Sequence, residues 1–293
     1  VAPVRAETVG NTERVIGNWV AKSGRRGDVV IATKHSGDTQ LVRNGRGIKP
    51  DTVRDVLEGS LRRLQTDYVD LYQFHWPNRG SFMFRKNWDF DPRKQGETSR
   101  ILDEMAATME VLAALVKEGK IRGFGLSNDS AWGTMQWIAA AERAGGPRVA
   151  TMQNEYSLLC RFYDTDMAEF SHHEDITLLA FSPLACGFLT GKYQGGTVPD
   201  ASRMSLSPKL GGRDTPRVRG AVQAYLDIAQ SHGLDPVHLA LAWCAGRPFP
   251  TIPIFGATTM DQLNTVIAGL DVELTDDVLD EVSKAHRAHP MPF

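Results

Sequence analysis

Cysteine is scarce in this chain. Cys160, Cys186 and Cys244 form no CxxC and show no metal-ligand spacing. That count excludes a disulfide framework and suits a reducing, cytoplasmic setting. Long hydrophobic runs are also missing. No stretch nears the ~20 apolar residues that a membrane helix needs, so no membrane partner is expected. Neither sign of charge dominates: 33 Lys and Arg stand against 35 Asp and Glu. Nucleic acid therefore finds no basic surface to bind. Carboxylates do not cluster at the strand ends, which leaves paired-acid glycoside chemistry unsupported. His172-His173 is the one tempting metal pair. Adjacent side chains point apart, so the pair reads as a solvated helix end and no metal is expected.

What is present is an alternation of strand-length apolar runs with helical patterns. "DVVIATKH" (28–35), "YVDLYQFHW" (68–76), "IRGFGLSN" (121–128), "VATMQNEYS" (149–157), "ITLLAFSPL" (176–184) and "TIPIFGAT" (251–258) read as strands. Between and after them, 51–65, 101–118, 130–144, 216–232, 236–246, the segment after Thr258 and 275–288 carry helical spacing. Asp51 is expected to cap the first of these helices and Gly119 to end the second. Such alternation implies parallel strands with crossover helices. The whole chain, 1–293, reads as one domain of 293 residues. The segments 77–98 and 192–215 are longer than ordinary connections and follow strand C-termini, where α/β folds place their sites.

An open dinucleotide-binding sheet and a (β/α)8 barrel both have this alternation. The open sheet needs a Gly-rich turn after its first strand. "GFGLSN" (123–128) has its glycines inside a strand, and "GFLTGKY" (187–193) fails the P-loop spacing, with Tyr193 where Ser or Thr belongs. The barrel is favoured, although six strands fall two short of eight.

Polar residues gather at the strand ends: Lys34, His75, Ser127-Asn128, Gln153-Asn154, Ser182 and Thr258. In a barrel those ends share one face. Each has a bland reading beside the functional one. Lys34 alone is a solvated charge, His75 a satisfied core histidine, Ser127-Asn128 a helix-capping turn, and Cys186 a small buried filler. Their recurrence on successive strands is what points to a site.

In order along the chain, "ATKHSG", "RLQTDYVDLYQFHWP", "GKIRGFGLSN", "QNEYSLL", "AFSPLACGFLTGKY" and "GATTMDQL" resemble the motifs of the aldo-keto reductases. The resemblance covers nearly the whole chain and is strongest to the bacterial Tas-like branch. It implies an α/β (β/α)8 barrel that uses NADPH to reduce aldehydes and ketones to alcohols. Lys34 and His75 match the family's catalytic lysine and histidine. By the same register the acid tyrosine and its aspartate fall ahead of Val1, with the first two βα units absent. Tyr72 and Tyr156 are not obvious replacements.

For the cofactor, the resemblance assigns Ser127, Asn128 and Gln153 to the nicotinamide carboxamide and Phe181 to stacking on the ring. Ser182, Pro183, Leu184, Ala185, Cys186 and Gly187 follow the pyrophosphate with backbone N–H donors, and Lys192 adds a charge. Gly256, Thr258 and Gln262 match the adenosine end, where Thr258 and Arg203 recognise the 2′-phosphate. Val266 stands where the family often has Asn. Trp76, Phe84 and Trp88, with Phe82 nearby, form an apolar substrate wall; the bland reading is packing at a barrel rim. The expected partner is a small carbonyl compound, and a homo-oligomer is left open. The rival readings are an NADPH-binding regulatory or sensor subunit with little turnover, like the β-subunits of potassium channels, and an inactive fragment.

Overall fold

A computed structural model describes residues 6–293. The chain divides into two compact units, 1–152 and 153–293.

In the first unit, α1 (Asn11–Ser23), β1 (Ala32–His35), α2 (Pro50–Leu64), β2 (Val69–Phe74), α3 (Thr98–Lys117), β3 (Ile121–Ser127), α4 (Ala131–Ala144) and β4 (Val149–Gln153) follow one another, the last strand ending at the unit's boundary. The strands β1 to β4 neighbour each other in chain order. The β1–β2 ladder is parallel, with Lys34 opposite Gln73 and His35 opposite Phe74. The β2–β3 ladder is parallel too, running from Val69 opposite Ile121 to Phe74 opposite Leu126. Side chains alternate along each strand. Phe74 packs edge-on against Phe124 and against Trp137 of α4, so one face of the sheet carries the aromatic core under the helices.

The strands are shorter than the apolar runs predict. At β1 the cause is visible: the Asp70 carboxylate accepts the Ile31 N–H at 2.9 Å and Arg26 at 2.8 Å, taking a ladder position for a side chain. β2 stops at Phe74, followed by one more hydrogen bond from His75 N–H to the His35 carbonyl at 2.9 Å. Pro77 then has no N–H to continue a ladder. Capping also differs from expectation. Asp51 is not the N-cap of α2. Pro50 occupies the first turn, and the Thr52 hydroxyl accepts the Lys49 N–H at 3.0 Å. Helix α4 is capped by Ser130, whose hydroxyl accepts the Gly133 N–H at 3.3 Å, rather than by Ser127 or Asn128. Gly119 does follow α3 and has the left-handed φ of +73° that a helix end favours.

The second unit holds α5 (Asp166–Glu174), β5 (Thr177–Phe181), α6 (Arg203–Leu206), α7 (Val218–Ser231), α8 (Pro236–Ala245), β6 (Thr251–Ile254), α9 (Met260–Ala268) and α10 (Asp276–Ala288). β5 and β6 pair in parallel, Leu178 opposite Thr251 through Phe181 opposite Ile254. Tyr156 stacks on Trp243 at 5.2 Å in its core, with Phe249 edge-on at 6.0 Å. The six strands anticipated from sequence are the six found among the described residues, all shortened at their ends.

Candidate active site

The register of β1 and β2 decides where the strand-end residues go. Lys34 and Gln73 are paired neighbours, and His75 lies two residues beyond Gln73, so all three share one face. His35 and Phe74 occupy the opposite face, their rings edge-on at 6.1 Å. Lys34 and His75 therefore meet at the same strand end, on the side away from the helices. Burial lowers the Lys34 pKa from its usual range. Burial first, and the Lys34 charge second, push His75 down to about 4. At neutral pH His75 is a neutral imidazole beside an ammonium. No ion pair or hydrogen bond to the Lys34 amine is present among the described residues. Gln73, fully buried beside it, has neither amide atom hydrogen-bonded there.

The β3 end adds Ser127 and Asn128, both buried. Asn128 takes φ +55°, a left-handed value that Asn tolerates better than most residues. Its Nδ2 donates to the His75 carbonyl and to the Ser127 hydroxyl, each at 2.9 Å. The turn after β3 is thus tied to the turn after β2. Beside it Arg79 and Asp129 form a buried ion pair, its carboxylate also accepting the Ser130 N–H. Fifty positions separate these two residues, and nothing in the sequence announces their pairing.

Trp76 fits its place because Gly37 has no side chain. A Cβ there would lie 2.2 Å from the indole nitrogen. Trp76 meets Phe84 edge-on at 6.3 Å, and both line a cavity of about 520 Å³. Phe84 and Trp88 are exposed. Of the expected wall, Trp76 and Phe84 come together and share this cavity; Trp88 is not among its lining residues.

In the second unit Phe181 ends β5, half-buried, its N–H donating to the Asn154 carbonyl at 3.0 Å. The turn behind it is strained: Ser182, Ala185 and Cys186 have φ of +56°, +47° and +58°. Positions of that kind persist only where the surroundings enforce them, and they concentrate at ligand sites. Two of the backbone donors in this turn are used internally, Ala185 N–H to the Ser182 carbonyl and Gly187 N–H to the Leu184 carbonyl, each at 2.8 Å. Gly187 leaves room for Lys192, whose amine would stand 3.0 Å from a Cβ at that position. A cation folded against a tight turn suits a phosphate. Cys186 is half-buried rather than a sealed core filler, its thiol 3.7 Å from the Ser182 hydroxyl.

Gln153 ends β4, half-buried. Gly256, Thr258 and Gln262 are exposed after β6. The Gln262 side-chain oxygen accepts from Thr258 N–H at 2.9 Å and from the Thr258 hydroxyl at 3.2 Å. Val266 turns inward and is buried, while Arg203, at the start of α6, is exposed. Sequence reading passed over Glu155 and Arg213, which make a buried ion pair at 2.8 Å and anchor the long 192–215 segment. The glutamate was visible inside "QNEYS"; its partner, 58 residues away, was not.

Neither internal tyrosine suits an acid role. Tyr72 donates to the Val53 carbonyl at 3.3 Å on the helix-facing side. Tyr156 bonds Asp164. Burial raises both pKa values, with the Asp164 charge adding to the rise at Tyr156. The tyrosine and aspartate expected ahead of Val1 lie outside the described residues. Among those residues, no three His, Cys, Asp or Glu gather to hold a metal, and no helix is long and apolar enough to cross a membrane.

Comparison with known proteins gives consistent matches. The profile described as "Aldo/keto reductase family" matches residues 6–287. Protein tas of Escherichia coli is 42% identical over 296 residues, spanning 99% of this chain and 84% of that protein. An aldo-keto reductase of Babesia bovis is 35% identical over 274 residues, 88% of this chain and 95% of its own. A probable voltage-gated potassium channel subunit beta of Arabidopsis thaliana is 30% identical over 292 residues, 96% of this chain and 81% of its own.

Proposed function

The chain belongs to the aldo/keto reductase family and is an oxidoreductase, and from that premise we propose that it reduces aldehydes or ketones to alcohols with NADPH. The observation that carries this reading is the meeting of Lys34 and His75 on one face of one strand end. NADPH, when bound, supplies the hydride. Everything else falls to the side chains. His75, neutral at working pH, offers an imidazole N–H to the carbonyl oxygen and keeps it in place. Lys34 sets a positive charge where negative charge grows on that oxygen, and it makes a nearby acid easier to deprotonate. Asn128 fixes the His75 backbone, and so the direction of the imidazole. Trp76 and Phe84 exclude water and select for apolar substituents on the substrate.

The donor set also suits the nucleotide. The strained turn at 182–187 with Lys192 against Gly187 fits a pyrophosphate, and the half-buried Phe181 offers a ring face for the nicotinamide. Ser127, Asn128 and Gln153 would bond the carboxamide. Gly256 with the Thr258–Gln262 pair would hold the adenosine end, Thr258 and the exposed Arg203 taking the 2′-phosphate.

A second reading has one observation in its favour, the potassium channel subunit beta among the relatives. On it, the chain binds the nucleotide and turns over little. Incubation with NADPH and a panel of aldehydes and ketones, following nicotinamide absorbance, separates the two. Steady oxidation of NADPH with alcohol formation supports the reductase. Tight NADPH binding with no turnover on any carbonyl supports the subunit and defeats the first reading. In the same assay Thr258→Ala is expected to weaken NADPH at least about tenfold more than NADH, the worth of one hydrogen bond to a charged group. Equal losses would remove Thr258 from 2′-phosphate recognition.

A further inference from the structure

The turn that carries His75 is tied twice to the turn after β3. Asn128 Nδ2 donates to the His75 carbonyl at 2.9 Å. Farther along the same turn, Arg79 Nη2 pairs with Asp129 Oδ1 and donates to the Ser130 hydroxyl at 3.3 Å. Asp129 follows Asn128 directly, so the chain from His75 to Arg79 and the Asn128–Asp129 step close a ring. Neither end of the turn can shift without breaking an amide hydrogen bond or an ion pair. Its other side is held as well. His75 N–H bonds the His35 carbonyl at 2.9 Å, and Asn78 Oδ1 accepts the Ile48 N–H at 2.8 Å.

The fold makes deliberate room for this ion pair. Its side chains are only 4% and 2% exposed. Asp129 also accepts the Ser130 N–H at 2.8 Å, which fixes the carboxylate at the start of α4. The guanidinium lies 5.1 Å from the centroid of the Trp132 ring. A Cβ at Gly133, inside α4, would stand 2.1 Å from Arg79 Nη2 and 2.2 Å from Asp129 Oδ1. Glycine within a helix costs stability against alanine, and here it leaves the space that two buried charges occupy. A buried pair of this kind adds little net stability over packed apolar side chains. What a guanidinium on a carboxylate does add is a fixed, planar geometry.

We infer that Arg79 and Asp129 are positioning residues for carbonyl reduction: their ion pair closes the ring that aims the His75 imidazole and keeps water out of the turn behind it. The inference rests on the reading of His75 as the group that faces the substrate carbonyl. Arg79 and Asp129 are themselves buried and act through His75 and Asn128. A small misplacement of an orienting group is enough to cost rate, because the productive geometry is narrow.

The test replaces the pair and watches the imidazole itself. Arg79→Met with Asp129→Asn removes both charges together, so neither is left buried and alone, and the amide oxygen of the new side chain still accepts the Ser130 N–H. The His75 Cε1–H resonance, assigned by its loss in His75→Gln, is titrated by NMR in parent and variant without nucleotide. In the parent, burial chiefly keeps this imidazole neutral down to about pH 4. A loosened turn admits water, so the variant titrates at least about one pH unit higher, towards the ordinary 6.5. With NADPH and a carbonyl compound that the parent reduces, kcat falls at least about tenfold and the carbonyl KM stays within about threefold, since orientation and not binding is lost. Arg79→Lys keeps a cation on Asp129 without the planar fork, moves both readouts in the same direction, and serves if the double variant folds poorly. Either readout at its parental value in a folded variant marks a pair that only adds stability, and overturns the inference. A parent that turns over no carbonyl removes the reductase reading instead, and the NMR titration then decides the role of the pair by itself.

Discussion

Lys34 and His35 are adjacent in sequence and opposite in fate. Strand alternation sends the lysine to the face of Gln73 and His75, and the histidine under the helices. There His35 Nδ1–H donates to the Ser36 carbonyl at 2.6 Å and Nε2 faces the Thr52 hydroxyl at 3.0 Å. Burial chiefly holds its pKa at about 4 against an ordinary 6.5. The unfolded chain thus binds a proton near pH 6.5 that the fold refuses until about pH 4. Stability from this group is complete above pH 6.5 and drains away as pH falls towards 4, by up to about 3 kcal/mol. Urea midpoints measured from neutral pH down to about 4.5 are expected to fall steeply in the parent protein and less steeply in His35→Gln. Identical slopes would remove His35 as a source of acid sensitivity. Single strand-end residues were legible in the sequence, because a polar side chain closing an apolar run is itself a signal. Arg79–Asp129 and Glu155–Arg213 were not, because ion pairs closed by folding leave no local pattern.

Helices were easier to read than strands. A helix such as α2 carries the 3.6-residue period along its buried face, at Val53, Leu57, Leu61 and Leu64, while strand ends depend on what the neighbouring strand offers. β1 is short because Asp70 intercepts the ladder, a fact of pairing and not of β1's own residues. Close packing was equally hidden. Gly17 of α1 lies so near the end of α2 that a Cβ would stand 2.2 Å from the Arg63 carbonyl oxygen and 2.9 Å from the Leu64 Cα. Gly to Ala inside a helix normally stabilises by up to ~1 kcal/mol. Here the obstructing atoms are backbone, which cannot swing aside, so the sign reverses. Gly17→Ala is expected to destabilise by roughly 1–3 kcal/mol, the usual cost of overpacking, as read by urea unfolding. A gain in stability would mean that α1 does not rest on α2 in this way.

Over the chain as a whole, the order of βα elements and the family were within reach of the sequence, because alternation and motif order are both linear properties. The strained turn at 182–187 was only half visible: its backbone role was expected, but three non-glycine residues with positive φ were not. Such values belong to the folded environment and to no residue type. What joins these observations is a chemical assignment, an ammonium and a neutral imidazole acting together on one carbonyl oxygen. Lys34→Met tests it most directly, because it removes the charge, keeps most of the unbranched side chain and leaves the proposed nucleotide contacts alone. Carbonyl turnover and NADPH affinity, measured side by side on this variant and the parent, should part company: turnover falls at least about a hundredfold, the scale of a lost acid–base contribution, while affinity stays within about threefold. Parental turnover in Lys34→Met would contradict the assignment.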